Sequence, residues 1–389
     1  MKKSINHIYL IILLAILSAI APIAVDTYIP SMPSMAKDFA VSIDKIELSL
    51  SIFLIGFSIG QIFGGILSDR IGRKRSSLIG LLTFAFFSFL IVFSSSVYEL
   101  WIYRALQAFS GGLIVVNGSA AVRDIFKGKE AAKIFSLIGT VRSLAPLFAP
   151  AIGSFIIHFY SWRAVFVFLT VYALVVAVLI FRDFEETYTY TKKSVMESYK
   201  SVLSHKKAMK MMFILALGFS GMFTVIAKSS FIYIEYFNIS TDMFPLFFGL
   251  NFAMLIIMIR INIILLKTTS VITLIKTAIF IQICAGTVFM LNSSDISLVL
   301  VVILLAVYMS MNGFIYGNTM ALVLENFPHN AGVASSVIGV IQFGLGALIS
   351  SFVLMFHSAS LFPVAMSITV ISLIAFFILY TDNKIGKHT

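Results

Sequence analysis

The chain is a succession of long apolar runs separated by short polar stretches, and no other feature limits its fold so tightly. A run of about 20 apolar residues crosses the roughly 30 Å hydrocarbon core of a bilayer as an α-helix. Main-chain polar groups in lipid must be satisfied inside the protein, which leaves helices or closed barrels. Twelve helical runs are read, at approximately 7–29, 46–68, 76–96, 100–123, 131–157, 162–181, 209–234, 243–266, 270–291, 296–320, 331–356 and 360–381. Only 12% of the 389 residues are charged and 60% are hydrophobic, against about 25% charged in an ordinary soluble chain. The sequence therefore predicts an all-α integral membrane protein with twelve transmembrane helices.

The longest polar interval, 182–208, separates six runs from six, so the expected organisation is a half at 1–181, a cytoplasmic linker at 182–208 and a half at 209–389. Lys and Arg are retained on the cytoplasmic side. With the N-terminus inside, 21 of them fall on inside segments and 3 (Lys37, Lys45 and Arg163) outside, which predicts two cytoplasmic termini. The net charge of +11 is then absorbed by topology and contact with anionic lipid, and nucleic-acid binding has no support. The single cysteine, Cys284, lies in an apolar run and is read as a buried bystander thiol, with no disulfide possible. No phosphate loop, dinucleotide fingerprint or zinc-type cluster occurs, which argues against an ATP-driven pump or a membrane enzyme. The segments AAVRDIFKGKEAAKIFSLIG (120–139) and MALVLENFPHNAGVASSVIG (320–339) are weakly alike, the parallel repeat expected when two halves rock about a central site.

One inside loop gathers five charges into twelve residues, GGILSDRIGRKR at 64–75. Gly64 and Gly65 allow close helix packing, Gly72 permits a sharp turn, and Asp69 can pair with an arginine or face a helix N-terminus. Taken singly, Arg73, Lys74 and Arg75 also read as plain topology anchors. The whole pattern resembles the G-x-x-x-D-R-x-G-R-R/K signature of the major facilitator superfamily. VDTYIPSMP (25–33), RALQAFSGG (104–112) and RSLAPLFAPAIG (142–153) resemble, in turn, the helix 1, helix 4 and helix 5 motifs of its Bcr/CflA branch of drug:proton antiporters. The likeness continues through FPLFFGLN (244–251) and AGVASSVIGVIQFGLGALIS (331–350). Ala108 and Ala151 stand where the motifs carry glycine, and the loop after helix 8 lacks a second charged signature. The N-terminus also has the make-up of a secretory signal. Because the likeness takes in residues just past the possible cut, it is read as a retained first span.

The resemblance implies the fold of two pseudo-symmetric six-helix halves, and a proton-coupled exporter of small, partly apolar toxic compounds in the bacterial inner membrane. Such a protein works as a monomer, with the proton gradient in place of any cofactor. A metabolite or amino acid exporter, or a symporter, is the alternative within the same fold, and a channel or receptor the alternative outside it. Asp26 and Arg104 are the expected proton-coupling pair. A carboxylate in low dielectric holds a proton near neutral pH, although a solvated helix-end aspartate is the plainer reading of Asp26. Arg104 and Arg142 are costly cations at membrane depth that call for a wet cavity, a counter-charge or carbonyl partners. Lys228 has two readings, a cation facing the cavity or a local ion pair with Glu235 seven residues on. The expected substrate cavity comprises Asp26, Tyr28, Arg104, Asn117, Arg142, Lys228, Asn251 and Gln342, with Gln61 a further polar contact. The expected gate comprises Gly65, Asp69, Arg70, Gly72 and Arg73, with Asp69 and Arg73 latching against the second half, and Pro146, Pro150 and Gly153 as a kinked seam in helix 5.

Overall fold

A computed structural model describes residues 7–126, 128–188, 195–327, 331–355 and 360–380, and the chain divides into two compact units, Met1–Lys192 and Lys193–Thr389. In the first unit the helices are α1 (His7–Ser18), α2 (Ile20–Asp26), α3 (Met32–Asp38), α4 (Ile43–Ile71), α5 (Arg73–Val92), α6 (Val97–Ile125), α7 (Gly128–Phe159) and α8 (Arg163–Asp183). In the second they are α9 (Val195–Ser204), α10 (Lys206–Ser230), α11 (Phe244–Leu265), α12 (Val271–Asn292), α13 (Leu298–Ser310), α14 (Asn312–Glu325), α15 (Ala331–Met355) and α16 (Phe362–Tyr380). No strand occurs among the described residues. Among the described residues ten helical stretches are long and apolar enough to span a bilayer, and the bent stretch Tyr9–Asp38 makes an eleventh. In α7 the apolar stretch Leu144–Phe159 is shorter than these.

The first span runs past the expected end at residue 29. It bends by 43° at the break before Ile20 and continues through a short 3-10 turn, Ile29–Ser31, into α3. Proline explains both features. Pro22 has no N–H to give Ser18, which opens the helix at the bend, while Pro30 and Pro33 sit in first turns, where that N–H has no helical partner. The far end of this span is fastened to the start of α8, because Asp38 Oδ2 accepts from Trp162 Nε1 at 2.9 Å and from Arg163 Nη1 at 2.6 Å. Elsewhere helices start on local signals: Ser96 Oγ accepts the Glu99 N–H while the Glu99 carboxylate accepts the Ser95 N–H at 2.7 Å, a reciprocal cap at the head of α6.

In the first unit α4 and α6 touch backbone to backbone. A methyl group added to Gly56, Gly60 or Gly64 would strike the main chain of Ala105, Phe109 or Leu113, and one on Gly112 would strike Phe57 and Gln61. Without a hydrophobic drive between helices in lipid, such close approach is what holds them together. Gly65 takes no part, contrary to expectation, since a methyl there meets nothing within 4 Å. In α8, Val167, Val171, Leu174, Val175, Val178 and Phe181 are all exposed at helical spacing. A soluble protein hides such a stripe, whereas acyl chains cover it in a membrane.

In the second unit α10 carries the most continuous buried face. It is lined by α14, α15 and α16 and extends at its base to Val202 of α9. Tyr308 crosses this core, its hydroxyl 3.3 Å from both Ile368 O and Ser372 Oγ, with Gly221 leaving room for the ring. Beyond Ser230 the helix widens into a π-type segment, Phe231–Tyr236. Cys284 is exposed on α12, so the expectation of a buried thiol is corrected.

Candidate functional site

Asp26 closes α2 and is only 3% exposed, which removes the reading as a solvated helix end. The next residue, Thr27, presents its carbonyl to Gly153 of α7 so closely that any side chain at 153 would collide with it. Pro146 and Pro150 are buried in the same helix. The helix 5 motif is therefore pressed on the turn that carries Asp26.

Arg104 of α6 is fully buried. Its Nη1 donates to Gln107 Oε1 at 2.7 Å and to the Ala24 carbonyl at 3.3 Å. Gln107 Nε2 in turn donates to Ser88 Oγ at 2.7 Å, and Ser88 Oγ to the Phe84 carbonyl, also at 2.7 Å. Aromatic rings take the place of a counter-charge in the described contacts. The guanidinium carbon lies 4.7 Å from the centre of the Tyr28 ring, 4.5 Å from that of Phe53 and 5.9 Å from that of Phe166. Each close, desolvated ring is worth about 2 kcal/mol to a cation, which offsets part of the several kcal/mol that burying one costs. Nε and Nη2 have no hydrogen-bond partner among the described residues. Arg104 thus reaches the main chain of the helix that carries Asp26, two residues before it.

Tyr28 joins this cage to α4. Its hydroxyl lies 2.8 Å from Ser49 Oγ and 3.4 Å from the Ile46 carbonyl. Glu47, on that same turn, is fully buried. The sequence reading passed over it, although the signal was available: Glu47 falls inside the expected span 46–68, and an ionisable residue at membrane depth marks a functional position by default.

At the other end of α4 the charged loop forms a compact cluster. Arg73 Nη1 donates to Asp69 Oδ1 and to Ser68 Oγ, both at 2.6 Å, and Nε donates to Asp124 Oδ2 at 3.0 Å. Gly72 has φ +94°, a conformation that glycine adopts without strain, so α4 can end and α5 begin at a single residue. Arg70 is exposed. These described partners tie the ends of α4, α5 and α6 together inside the first unit. The second unit has a neutral counterpart on its own second and fourth membrane spans. Asn262 of α11 and Asn318 of α14 exchange amide hydrogen bonds at 3.1 and 2.9 Å, both side chains buried.

Lys228 is buried, 4% exposed, with Nζ 5.0 Å from the centre of the Phe231 ring. Glu235, seven residues on, is exposed and lies within the π-type segment Phe231–Tyr236. Asn251 is buried and donates to the Tyr233 hydroxyl at 3.3 Å. Asn117 spends its amide on Ser76 Oγ and the Leu113 carbonyl at 3.0 and 2.9 Å, inside the first unit. Gln342 is buried on α15, and Gln61 is half-buried on α4. The side chain of Arg142 lies outside the described residues.

A two-unit, all-helical bundle with apolar outer faces and buried ionisable groups defines a multi-pass membrane transporter. Residues 14–351 match the Major Facilitator Superfamily, and the chain belongs to it, in its Bcr/CflA branch. It is 30% identical to the bicyclomycin resistance protein homolog of Haemophilus influenzae over 96% of each chain. It is 31% identical to the MFS-type transporter YdgK of Bacillus subtilis, covering 99% of this chain and 98% of that one. With the chloramphenicol resistance protein CraA of Acinetobacter baumannii it shares 29% identity over 64% of this chain and 61% of the other. Among solved structures, the nucleoside transporter NupG matches with TM-score 0.76 at 14% identity, over 97% of this chain and 100% of that one. A D-xylose–proton symporter matches with TM-score 0.71 at 19% identity, over 97% and 98%. At these identities the two structures establish the fold alone.

Proposed function

We propose that this protein exports small, partly apolar toxic compounds from a bacterial cell, driven by protons moving inward. It lies in the inner membrane with both termini cytoplasmic and acts as a monomer, with the proton gradient in place of a cofactor. Asp26 carries the coupled proton. A carboxylate removed from water favours its neutral form, and it ionises only when one side of the membrane opens to it. The observation that carries the reading is the burial of Asp26 between two fastened points of the chain, Thr27 pressed on Gly153 of the helix 5 motif and Ala24 bonded to a fully buried Arg104. Loss or gain of a proton at Asp26 changes the charge beside that helix, so the α2 backbone transmits the change to Arg104. Relatives named for resistance to bicyclomycin and chloramphenicol support an antibiotic-like cargo.

The test is drug uptake by inverted vesicles or proteoliposomes under an imposed proton gradient, with chloramphenicol as the probe, for the wild type and Asp26→Asn. Gradient-driven movement by the wild type, lost in the variant while downhill exchange persists, is the expected result. Uphill movement unchanged in Asp26→Asn removes that role, and no movement of any drug by the wild type removes the export reading. A second reading, export of a carboxylate-bearing metabolite, is favoured by the buried ammonium of Lys228, and metabolite panels in the same assay separate the two.

A further inference from the structure

We infer that the first stretch of the linker between the halves, Phe184–Tyr188, is a strap that fixes Arg73 on its acidic partners, with Glu186 as the positioning residue. Helix α5 opens at Arg73 behind Gly72, which has no side chain to cap the first free N–H groups of the helix. Glu186 supplies the missing acceptors from 113 positions along the chain: Oε1 takes the Arg73 N–H at 2.7 Å and Oε2 the Lys74 N–H at 3.2 Å. An anion at this end also suits the helix dipole. The bare Gly72 also leaves room for this carboxylate, which a methyl there would push aside.

The same carboxylate folds the strap on itself. Glu186 Oε1 also accepts the N–H groups of Thr187 and Tyr188, each at 3.1 Å. That places Thr187 Oγ1 3.2 Å from Asp124 Oδ2 and the Tyr188 ring 4.7 Å from the Arg73 guanidinium carbon. The buried Phe184 anchors the stretch at the end of α8. One glutamate thus holds the backbone of Arg73, covers the face of its guanidinium and steadies one of its two carboxylate partners. The residues that follow lead along the chain into the second half, so displacement of the linker loosens Arg73 from Asp69 and Asp124. The gate signature is then a device of α4, α5, α6 and the linker together, beyond the transport reading itself.

The experiment compares wild type, Glu186→Gln, Tyr188→Ala, Tyr188→Phe, Arg73→Gln and the double variant Glu186→Gln/Arg73→Gln. Two measurements are made on the intact protein: amide hydrogen exchange at Arg73 and Lys74 in detergent, and the kinetics of gradient-driven drug transport in proteoliposomes. Glu186→Gln is expected to speed exchange at those two amides about tenfold, the effect of losing a charge-assisted acceptor. It is expected to lower turnover several-fold with KM unchanged. Tyr188→Ala lowers turnover in the same way and Tyr188→Phe preserves it, since the ring face is what meets the cation. If the strap acts through Arg73, Glu186→Gln adds nothing to the turnover loss of Arg73→Gln. Unchanged exchange at Arg73 and Lys74, or losses of turnover that multiply in the double variant, overturn the inference. Amide exchange needs no substrate, so a wild type that moves no drug counts against the export reading and leaves the strap to be decided by exchange.

Discussion

The guanidinium of Arg104 is bonded across 3.3 Å to the main-chain carbonyl of Ala24, and the carboxylate of Asp26 lies two residues further along the same helix. This arrangement makes the cation a holder of the α2 backbone. A direct ion pair would keep Asp26 ionised. Contact through the backbone leaves the carboxylate able to take a proton while the helix that carries it stays tethered.

Arg104→Lys follows from the shape of the cage. A planar guanidinium can lie on the rings of Tyr28 and Phe53 while its Nη1 still reaches Gln107 and Ala24; a point-like ammonium on a flexible stem gives up one set of contacts to keep the other. The variant is expected to lose about 1 to 2 kcal/mol of stability and most of its uphill transport. Thermal unfolding in detergent and proteoliposome flux check the two parts, and wild-type flux in Arg104→Lys would show that charge alone suffices there.

The two acids on Arg73 are unequal. Asp124 has a side-chain exposure of 23% and Asp69 of 46%, so water screens the second more. Asp124→Asn is therefore expected to destabilise the cluster more than Asp69→Asn, which should cost no more than about 1 kcal/mol. Thermal unfolding at low and high salt checks this, with the Asp69 effect the more salt-sensitive of the two. Equal losses would mean that geometry outweighs exposure at this site.

Much of this arrangement was legible in the sequence, and the parts that were not share a cause. The apolar runs predict the helices because length and hydropathy are properties of each segment by itself, and Asp26 and Arg104 stand out as ionisable residues where lipid forbids them. What escaped depends on neighbours distant in sequence. Gly64 packs and Gly65 does not because only one faces α6. Glu47 looks like the edge of a span until Tyr28 is seen bonded to its turn. The π-type widening at Phe231–Tyr236, into which the chain runs from Lys228 to Glu235, leaves no mark in composition. The reach of Glu186 back to Arg73 joins a linker to a loop that no local pattern connects.

The glycines of the first unit supply a graded series. Gly60→Ala places a methyl on the Phe109 carbonyl and Gly153→Ala places one on the Thr27 carbonyl; both are backbone atoms that no rotamer change can move. Overpacking of this kind costs about 1 to 3 kcal/mol. Gly65→Ala meets open space and is expected to be neutral or slightly stabilising, since alanine favours a helix by about 1 kcal/mol over glycine. Gly60→Ala should lower the unfolding temperature with modest change in transport per folded molecule. Gly153→Ala should also impair transport, because it pries α7 from the turn beside Asp26. If Gly65→Ala and Gly60→Ala behave alike, backbone contact between α4 and α6 is not what holds that pair.

The reciprocal amides of Asn262 and Asn318 join α11 to α14 where the first unit joins α4, α5 and α6 by charge. Each side chain gives one N–H and takes one, so replacing either alone strands a donor and an acceptor on the other, in a place with little access to water. Replacing both removes the demand together with the bond. Asn262→Leu and Asn318→Leu should each destabilise the protein by about 1 kcal/mol or more, and the double variant by clearly less than the sum. The coupling expected in a membrane interior is about 0.6 kcal/mol, up to roughly 1.7. A double-mutant cycle on thermal or denaturant unfolding in a mild detergent measures it. Strict additivity would show that the two amides are neighbours without being partners, and that α11 and α14 are held by packing alone, with Gly313 of α14 set against the backbone of Ile259 as the remaining point of close approach.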